Sequence, residues 1–374
     1  MGFRDWAFGL FGRRAEERDL PRRSRGPAMH VIILDGTLSS LAEGQETNAG
    51  LTFKLLREGG KRANLTLHYE AGIQWRDWKG TTDVMLGRGI NRQIERAYGV
   101  LASRYRPGDR IILIGYSRGA YAVRSLAGVI DLVGLVRHDE AASRQMQTAY
   151  RHYRAGGKGP AAVVFRQLYC HEHVQVEAVA VWDTVKALGL RLPILWRWAE
   201  AQHAFHNHAL GRGVLHGFQA LALDETREAY APILWTRPPN WPGVMEQVWF
   251  KGTHGDVGGQ VGDWPAARPL ANIPLVWMLE RLQGCGLMLP GGWRERFLCD
   301  VTAPSVGTWG GWGKLFLSRR RRIVGKDRSE RLHETVRERV INRVPPPKPA
   351  PGTRAGAVDI ATRTNGATKS TGDI

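Results

Sequence analysis

The stretch that most restricts the fold is Gly115-Tyr116-Ser117-Arg118-Gly119, a G-x-S-x-G pentapeptide between an apolar run and a helical pattern. Upstream, residues 109–114 read D-R-I-I-L-I after a Pro107-Gly108 turn. A near-continuous apolar run of this kind suits a strand buried on both faces of a parallel sheet. Downstream of Ala120, Val123, Ala127 and Ile130 recur at helical spacing. The chain therefore passes from strand to helix across Ser117. At so sharp a turn the side chain projects from the carboxyl edge of the sheet, the backbone is strained, and the residues two positions away must be small. Gly115 and Gly119 meet that demand. In a chain with 45 glycines among 374 residues the pentapeptide is weak evidence on its own, and a Gly-rich turn with a bystander Ser is the alternative, so the context has to decide.

The context alternates strand and helix patterns. Residues 29–34 (M-H-V-I-I-L) read as a first buried strand ending in the polar turn Asp35-Gly36-Thr37, and residues 65–69 as a second. Residues 83–104 read as a helix, residues 174–182 as a strand ending at Asp183, and residues 244–250 as a further strand. A glycine-rich loop at 252–259 follows, then a helical pattern over 274–282. Strands interleaved with helices predict an α/β fold with a mostly parallel sheet flanked by helices. No internal repeat is found.

Cys170, Cys285 and Cys299 are too widely separated for a disulfide framework or a C-x-x-C metal pattern, which points to synthesis in a reducing compartment, the cytoplasm. The N-terminus is charged from Arg4 and has no sustained apolar stretch, so no Sec signal peptide is expected. Nothing approaches the roughly 20 apolar residues that span a bilayer. The net charge of +18 is unevenly placed: residues 1–28 carry +3, residues 314–348 carry +8 and residues 349–374 carry +1. These are basic N- and C-terminal extensions on a moderately charged body. We therefore divide the chain into a basic extension at 1–28, a body at 29–344 and a Pro/Gly/Thr-rich tail at 345–374 that lacks the residues for a core. The densest run, Arg319 to Arg322, reads either as a solvated cluster or as a binding patch for an anionic membrane, nucleic acid or an acidic partner; nucleic acid is the weakest of these. The aromatic N-terminus, with Phe3, Trp6, Phe8 and Phe11 beside Arg13 and Arg14, is read as packing on the body or lying in a membrane interface.

A serine at such a turn performs acyl transfer only with a base to take its proton, an acid to orient the base and backbone donors for the oxyanion. In an α/β-hydrolase-like fold these follow in the order Ser, Asp/Glu, His, each on a loop past the carboxyl end of a strand. Ser117, Asp183 and His254 satisfy both conditions. Among the 12 histidines, His203, His206 and His208 fall in a helical or irregular segment, and His171 and His173 precede a strand. For the acid, Asp183 is preferred over Asp224, Asp256 and Asp263; Asp256, two residues from His254, is assigned a supporting role in that loop. Backbone N–H groups of Arg118 and of Gly36 or Thr37 are the candidate oxyanion donors. Asp35 is a second possible supporting residue. An aspartyl-phosphate phosphatase is excluded because position 33 is Ile where that mechanism needs a second Asp.

Several motifs occur in order: L-D-G-T at 34–37, T-N at 47–48, G-Y-S-R-G-A-Y running into R-S-L-A-G, V-W-D-T-V at 181–185, A-L-D-E-T-R at 222–227 and W-F-K-G-T-H-G-D-V-G-G at 249–259. Together they resemble the α/β-hydrolase domain of the type VI secretion phospholipase effectors, over residues 31–289 with a weaker echo at 333–340. The resemblance implies a Ser-Asp-His hydrolase of glycerophospholipid esters, with the catalytic roles on Ser117, Asp183 and His254 and with neither metal nor cofactor. It also implies a phospholipid or other acyl-ester substrate, an immunity or secretion partner, and export by a type VI system or peripheral membrane association. The chain departs from the family in its histidine loop, where Gly255 replaces the usual Ser and Gln260-Val261 replace a third Gly and a Tyr. Two rivals belong to other classes: a non-catalytic basic binding module on a hydrolase-like scaffold, and a metal-dependent hydrolase built from His254, Asp256 and the histidines at 203–208.

Overall fold

The computed structural model describes residues 26–60, 64–72, 88–185, 209–308 and 318–336. The expected extensions at 1–28 and 345–374 lie outside these apart from residues 26–28, as do His203, His206 and His208. Seven strands form one sheet in the order β2-β1-β3-β4-β5-β6-β7, and every neighbouring pair is parallel. They are β1 (Met29–Leu34), β2 (Leu65–Glu70), β3 (Arg110–Tyr116), β4 (Val176–Trp182), β5 (Val214–Ala222), β6 (Val244–Phe250) and β7 (Glu330–Leu332). Among the described residues the α-helices are α1 (Asn48–Glu58), α2 (Arg88–Ala102), α3 (Ser117–Leu132), α4 (Ser143–Arg154), α5 (Pro160–Tyr169), α6 (His254–Gly258) and α7 (Arg268–Gly284).

Strand periodicity sorts the core into two layers. Ile32, Leu34, Ile111, Leu113, Val179 and Val181 face one side, where they pack with α2, α3, α4 and α5. Val31, Ile33, Ile112, Ile114, Ala178 and Ala180 face the other, against α1 and α7. Burying each larger aliphatic side chain contributes about 2 kcal/mol, and a strand apolar on both faces is stable only with helices on both. The sheet is therefore the middle of a three-layer α/β fold of the α/β-hydrolase type. Because all strands are parallel, the loops after β1, β3, β4, β5 and β6 share one edge, and β1 and β3 flank the point where the strand order reverses, the usual ligand crevice of such sheets.

The structure corrects several boundaries. The last helix begins at Arg268 with Pro269 in its first turn, so Pro274 lies inside it; burial of Leu270, Ala271, Leu275, Met278, Leu279 and Leu282 outweighs the local penalty for proline. The segment at 252–259 is not only loop, since His254–Gly258 forms the short helix α6. Strand β5 escaped the sequence pattern because Gly217 and Gln219 interrupt its apolar run; Gln219 is fully buried, donating to the Ile233 carbonyl and accepting from Arg124.

Candidate active site

At the end of β3 the chain turns directly into α3, and Ser117, the first helical residue, has φ +56°. This is the left-handed region, which costs about 1 kcal/mol or more for a residue with a Cβ. The turn is tight enough that a Cβ on Gly115 would lie 2.7 Å from the Ala120 backbone, and one on Gly119 would overlap the Leu34 carbonyl oxygen at the end of β1. Among the described residues, the other non-glycine positions with positive φ are Leu38, Asp183 and Asn240. Leu38 and Asp183 stand on the loops after β1 and β4, so strain collects along the same edge as Ser117.

The edge brings three distant side chains together. Ser117 Oγ lies 2.9 Å from His254 Nε2, and His254 Nδ1 lies 2.6 Å from Asp183 Oδ2. All three residues are buried, Asp183 completely. With a carboxylate accepting at Nδ1, the proton of the neutral imidazole resides there and Nε2 is left to accept from the Ser117 hydroxyl. Asp183 Oδ1 also accepts from the Ala222 N–H at 3.0 Å, which ties the carboxylate to β5. Burial opposes ionisation of Asp183, but the Arg322 guanidinium and the hydrogen bonds from His254 and Arg322 outweigh it and hold the carboxyl well below the usual range.

His254 opens α6, and its ring is flanked by Tyr116 and Tyr230, with centroids 4.9 and 4.8 Å away. The Tyr116 hydroxyl donates to the His254 carbonyl at 3.2 Å. The His254 N–H donates to Glu225 Oε2 at 3.2 Å, and Glu225 is paired with Arg227 at 2.7 Å. Asp256 accepts from Thr253 N–H and Oγ1, Ser305 Oγ and Val306 N–H, so its carboxylate shapes the α6 turn and ties it to residues 305–306. Gly255 explains one departure in this loop: a side chain there would press on Val306 Cγ2 at 2.9 Å. Gln260 explains another, donating to the Thr37 carbonyl at 3.2 Å and accepting from Tyr116 at 3.4 Å.

The loop after β1 lies against the serine, with a Gly36 Cβ position 3.3 Å from Ser117 Cβ. Its shape is held by Asp35, whose carboxylate accepts from Gly36 N–H at 2.6 Å, Thr47 Oγ1 at 2.7 Å and Tyr69 Oη at 2.8 Å. Burial pushes the Asp35 pKa up to about 6 against the opposing effect of these donors. The Gly36 N–H is therefore taken by Asp35. Thr37 Oγ1 is itself buried with no hydrogen-bond partner among the described residues. The Arg118 N–H, in the first turn of α3, has no intrahelical acceptor by helix geometry.

The T-N pair acquires a role that its spacing did not disclose. Thr47 caps α1 by accepting from Gly50 N–H while donating to Asp35, and the Asn48 amide donates to the carbonyls of Val257 at 3.0 Å and Ala271 at 3.1 Å. One dipeptide thus braces both the β1 loop and the helix carrying His254. Arg322 belongs to the run that charge alone places at the surface, yet its side chain is only 4% exposed and is bonded to Asp183. The remaining candidates stand apart: Asp224 accepts from Gly252 N–H, Asp263 from Gln45, and His173 is exposed. At the opposite edge of the sheet, Glu177, His216 and Cys285 place donor atoms within 4.8 Å of one another, with the Arg110 guanidinium 4.0 Å from Glu177. No helix among the described residues is long and apolar enough to cross a membrane.

The profile of the family described as T6SS, Phospholipase effector Tle1-like, catalytic domain matches residues 29–281. The uncharacterized protein YEL023C of Saccharomyces cerevisiae is 23% identical over 256 residues, which is 60% of this chain and 36% of that protein. An uncharacterized protein from Pseudomonas aeruginosa, solved by crystallography, aligns with 74% of this chain and 49% of its own at 15% identity and a TM-score of 0.41. A Tle1 effector bound to the VgrG spike of the Type 6 secretion system aligns with 63% of this chain and 51% of its own, at 17% identity and a TM-score of 0.32. The chain spans between 36% and 51% of the length of these relatives.

Proposed function

The chain belongs to the Tle1-like type VI secretion phospholipase effector catalytic-domain family, and from that premise we propose that it hydrolyses fatty-acyl esters of glycerophospholipids by a Ser117-His254-Asp183 triad. The observation that carries this reading is the continuous relay from Ser117 Oγ through the His254 ring to Asp183, set on a strained turn at the ligand-binding edge of the sheet. His254 Nε2 takes the Ser117 proton as Oγ attacks the ester carbonyl carbon. The tetrahedral oxyanion forms against the N–H groups of Arg118 and Thr37, and Asp183 stabilises the imidazolium. Collapse breaks the ester C–O bond, and the imidazolium returns its proton to the departing glycerol oxygen. A water molecule, deprotonated by His254, then attacks the acyl-serine, releasing the fatty acid and restoring the Ser117 hydroxyl. Buried Glu225, kept ionised by its pair with Arg227, accepts from the His254 N–H and so fixes the first turn of α6, which carries the base.

Export through a type VI apparatus, with a secretion partner, is part of the same proposal and rests on family membership alone. Attachment to anionic membranes through the basic extensions rests on their charge. The test is release of fatty acid from phospholipid vesicles by the purified chain. Ser117→Ala is expected to lower kcat by about a thousandfold or more while leaving the circular dichroism spectrum unchanged. Undiminished turnover in that variant, or failure of the wild-type serine to take a fluorophosphonate label, would refute the reading and favour a basic binding module on a hydrolase-like scaffold.

A further inference from the structure

Arg322 has no part in the chemistry above, yet both of its terminal nitrogens are committed to the site, while its buried Nε has no hydrogen-bond partner among the described residues. Nη1 donates to Asp183 Oδ1 at 2.5 Å and to the Ala222 carbonyl at 2.7 Å. Nη2 donates to Asp183 Oδ2 at 2.9 Å and to the Tyr230 carbonyl at 2.6 Å. Each carboxylate oxygen of Asp183 thus receives one arm of the guanidinium fork beside one other donor, Ala222 N–H on Oδ1 and His254 Nδ1 on Oδ2. The segment that delivers Arg322 is anchored around it. Ser318 accepts from Glu228 N–H, Arg320 N–H donates to the Thr226 carbonyl, and farther on Ser329 accepts from Gln247 N–H before β7 pairs with β6. The segment itself, from Ser318 to Leu332, lies beyond residue 281, where the family match ends.

We infer that Arg322 is a positioning residue for the catalytic acid: its fork fixes the plane of the Asp183 carboxylate against His254 and screens part of that carboxylate's charge. The inference rests on the triad assignment in the proposed mechanism. A bidentate pair constrains both oxygens of a carboxylate, which a single imidazole donor does not. Asp183 needs that constraint, because at φ +40° its own backbone is strained and its side chain serves β5 and His254 at once. The screening has a separate consequence. A bare buried carboxylate 2.6 Å from the imidazole would favour a standing imidazolium, which is unable to accept the serine proton. The other charged or titratable groups around His254 are Tyr116, Tyr230, the Glu225–Arg227 pair and, on its own helix, Asp256; among the described residues Arg322 is the cation that bonds Asp183 directly.

The experiment is the pH dependence of kcat/KM for the full-length chain on a short-chain glycerophospholipid, with Arg322→Gln, Arg322→Lys and Ser117→Ala, each checked for folding by circular dichroism. Arg322→Gln should lower kcat/KM at pH 8 by about a hundredfold and move its acid limb up by about one pH unit. Arg322→Lys, which keeps the charge and loses the fork, should lower kcat and leave the acid limb in place. A purely structural role predicts lost stability with an unmoved limb in both variants. An unmoved limb in a folded Arg322→Gln protein would overturn the inference, and so would wild-type kcat/KM at every pH in Arg322→Lys should the glutamine variant not fold. The Ser117→Ala control keeps the two levels apart: its inactivity upholds the triad whatever Arg322 does, and its activity refutes the triad itself.

Discussion

At the scale of single residues, the site holds two buried carboxyl groups whose acidities are moved in opposite directions by their surroundings. Asp183 is an ionised carboxylate without exposure, and Asp35 is a carboxyl that burial has made a weaker acid. Their effects on stability run in opposite directions. The lowered pKa of Asp183 gives stability that is present above about pH 4 and is lost as pH falls toward its folded-state value. The Asp35 pKa is raised from 3.8 to about 6, so the fold favours its protonated form, and that contribution is complete below pH 3.8 and lost as pH rises through about 6. Relative to Asp35→Asn, the wild-type chain should therefore lose about 2.4 kcal/mol of unfolding free energy between pH 4 and pH 7, measurable by urea denaturation at the two pH values. Acceptors lost in the variant shift its stability by a constant and do not enter the slope. A difference that stays constant with pH would show that Asp35 titrates as an ordinary aspartate.

At the scale of elements, the β1 loop, α1, α6 and α7 form one brace. Asn48 holds the carbonyls of Val257 and Ala271, and Thr47 holds Asp35, so α1 links the loop proposed to hold the oxyanion to the helix bearing His254. Asn48→Ala removes both bonds to the helices and leaves two buried carbonyls short of a donor, a loss of about 1–3 kcal/mol. Thermal denaturation should show a melting point lower by a few degrees, and kcat should fall by about tenfold or more as α6 loosens. A lower melting point with unchanged kcat would mean the brace is only structural. This brace was invisible to periodicity. The buried strands β1, β3, β4 and β6 were legible because apolar runs bounded by turns are a local signal, whereas α1 carries Gly50 and Thr52 in its first turns and β7 has three residues, two of them charged. The helical form of 254–258 was equally hidden, since two glycines in five residues favour a loop until Asp256 and Asn48 fix the turn.

At the scale of the whole molecule, the structure divides the arginine run that charge alone treated as one patch. Arg322 and, in part, Arg319 turn inward, while Arg320 and Arg321 remain exposed. Reversing only the outward pair, Arg320→Glu with Arg321→Glu, should weaken binding to anionic vesicles by about tenfold or more at low salt, with hydrolysis of a soluble short-chain ester unchanged. Sedimentation with vesicles at low and high ionic strength reads this, and equal binding by both proteins would identify the run as a solvated cluster. The sequence by itself determined the layered α/β architecture, the serine turn, and the order in which serine, carboxylate and imidazole reach one edge of the sheet. Burial periodicity and backbone sterics are short-range properties, written in consecutive residues. Only the tertiary structure decided that Gly36 gives its N–H to Asp35, that Asn48 braces the histidine helix, and that Arg322 reaches an aspartate 139 positions earlier in the chain. A buried hydrogen bond or ion pair depends on which strands and loops become neighbours, and that adjacency leaves no periodic trace in the residues that make it.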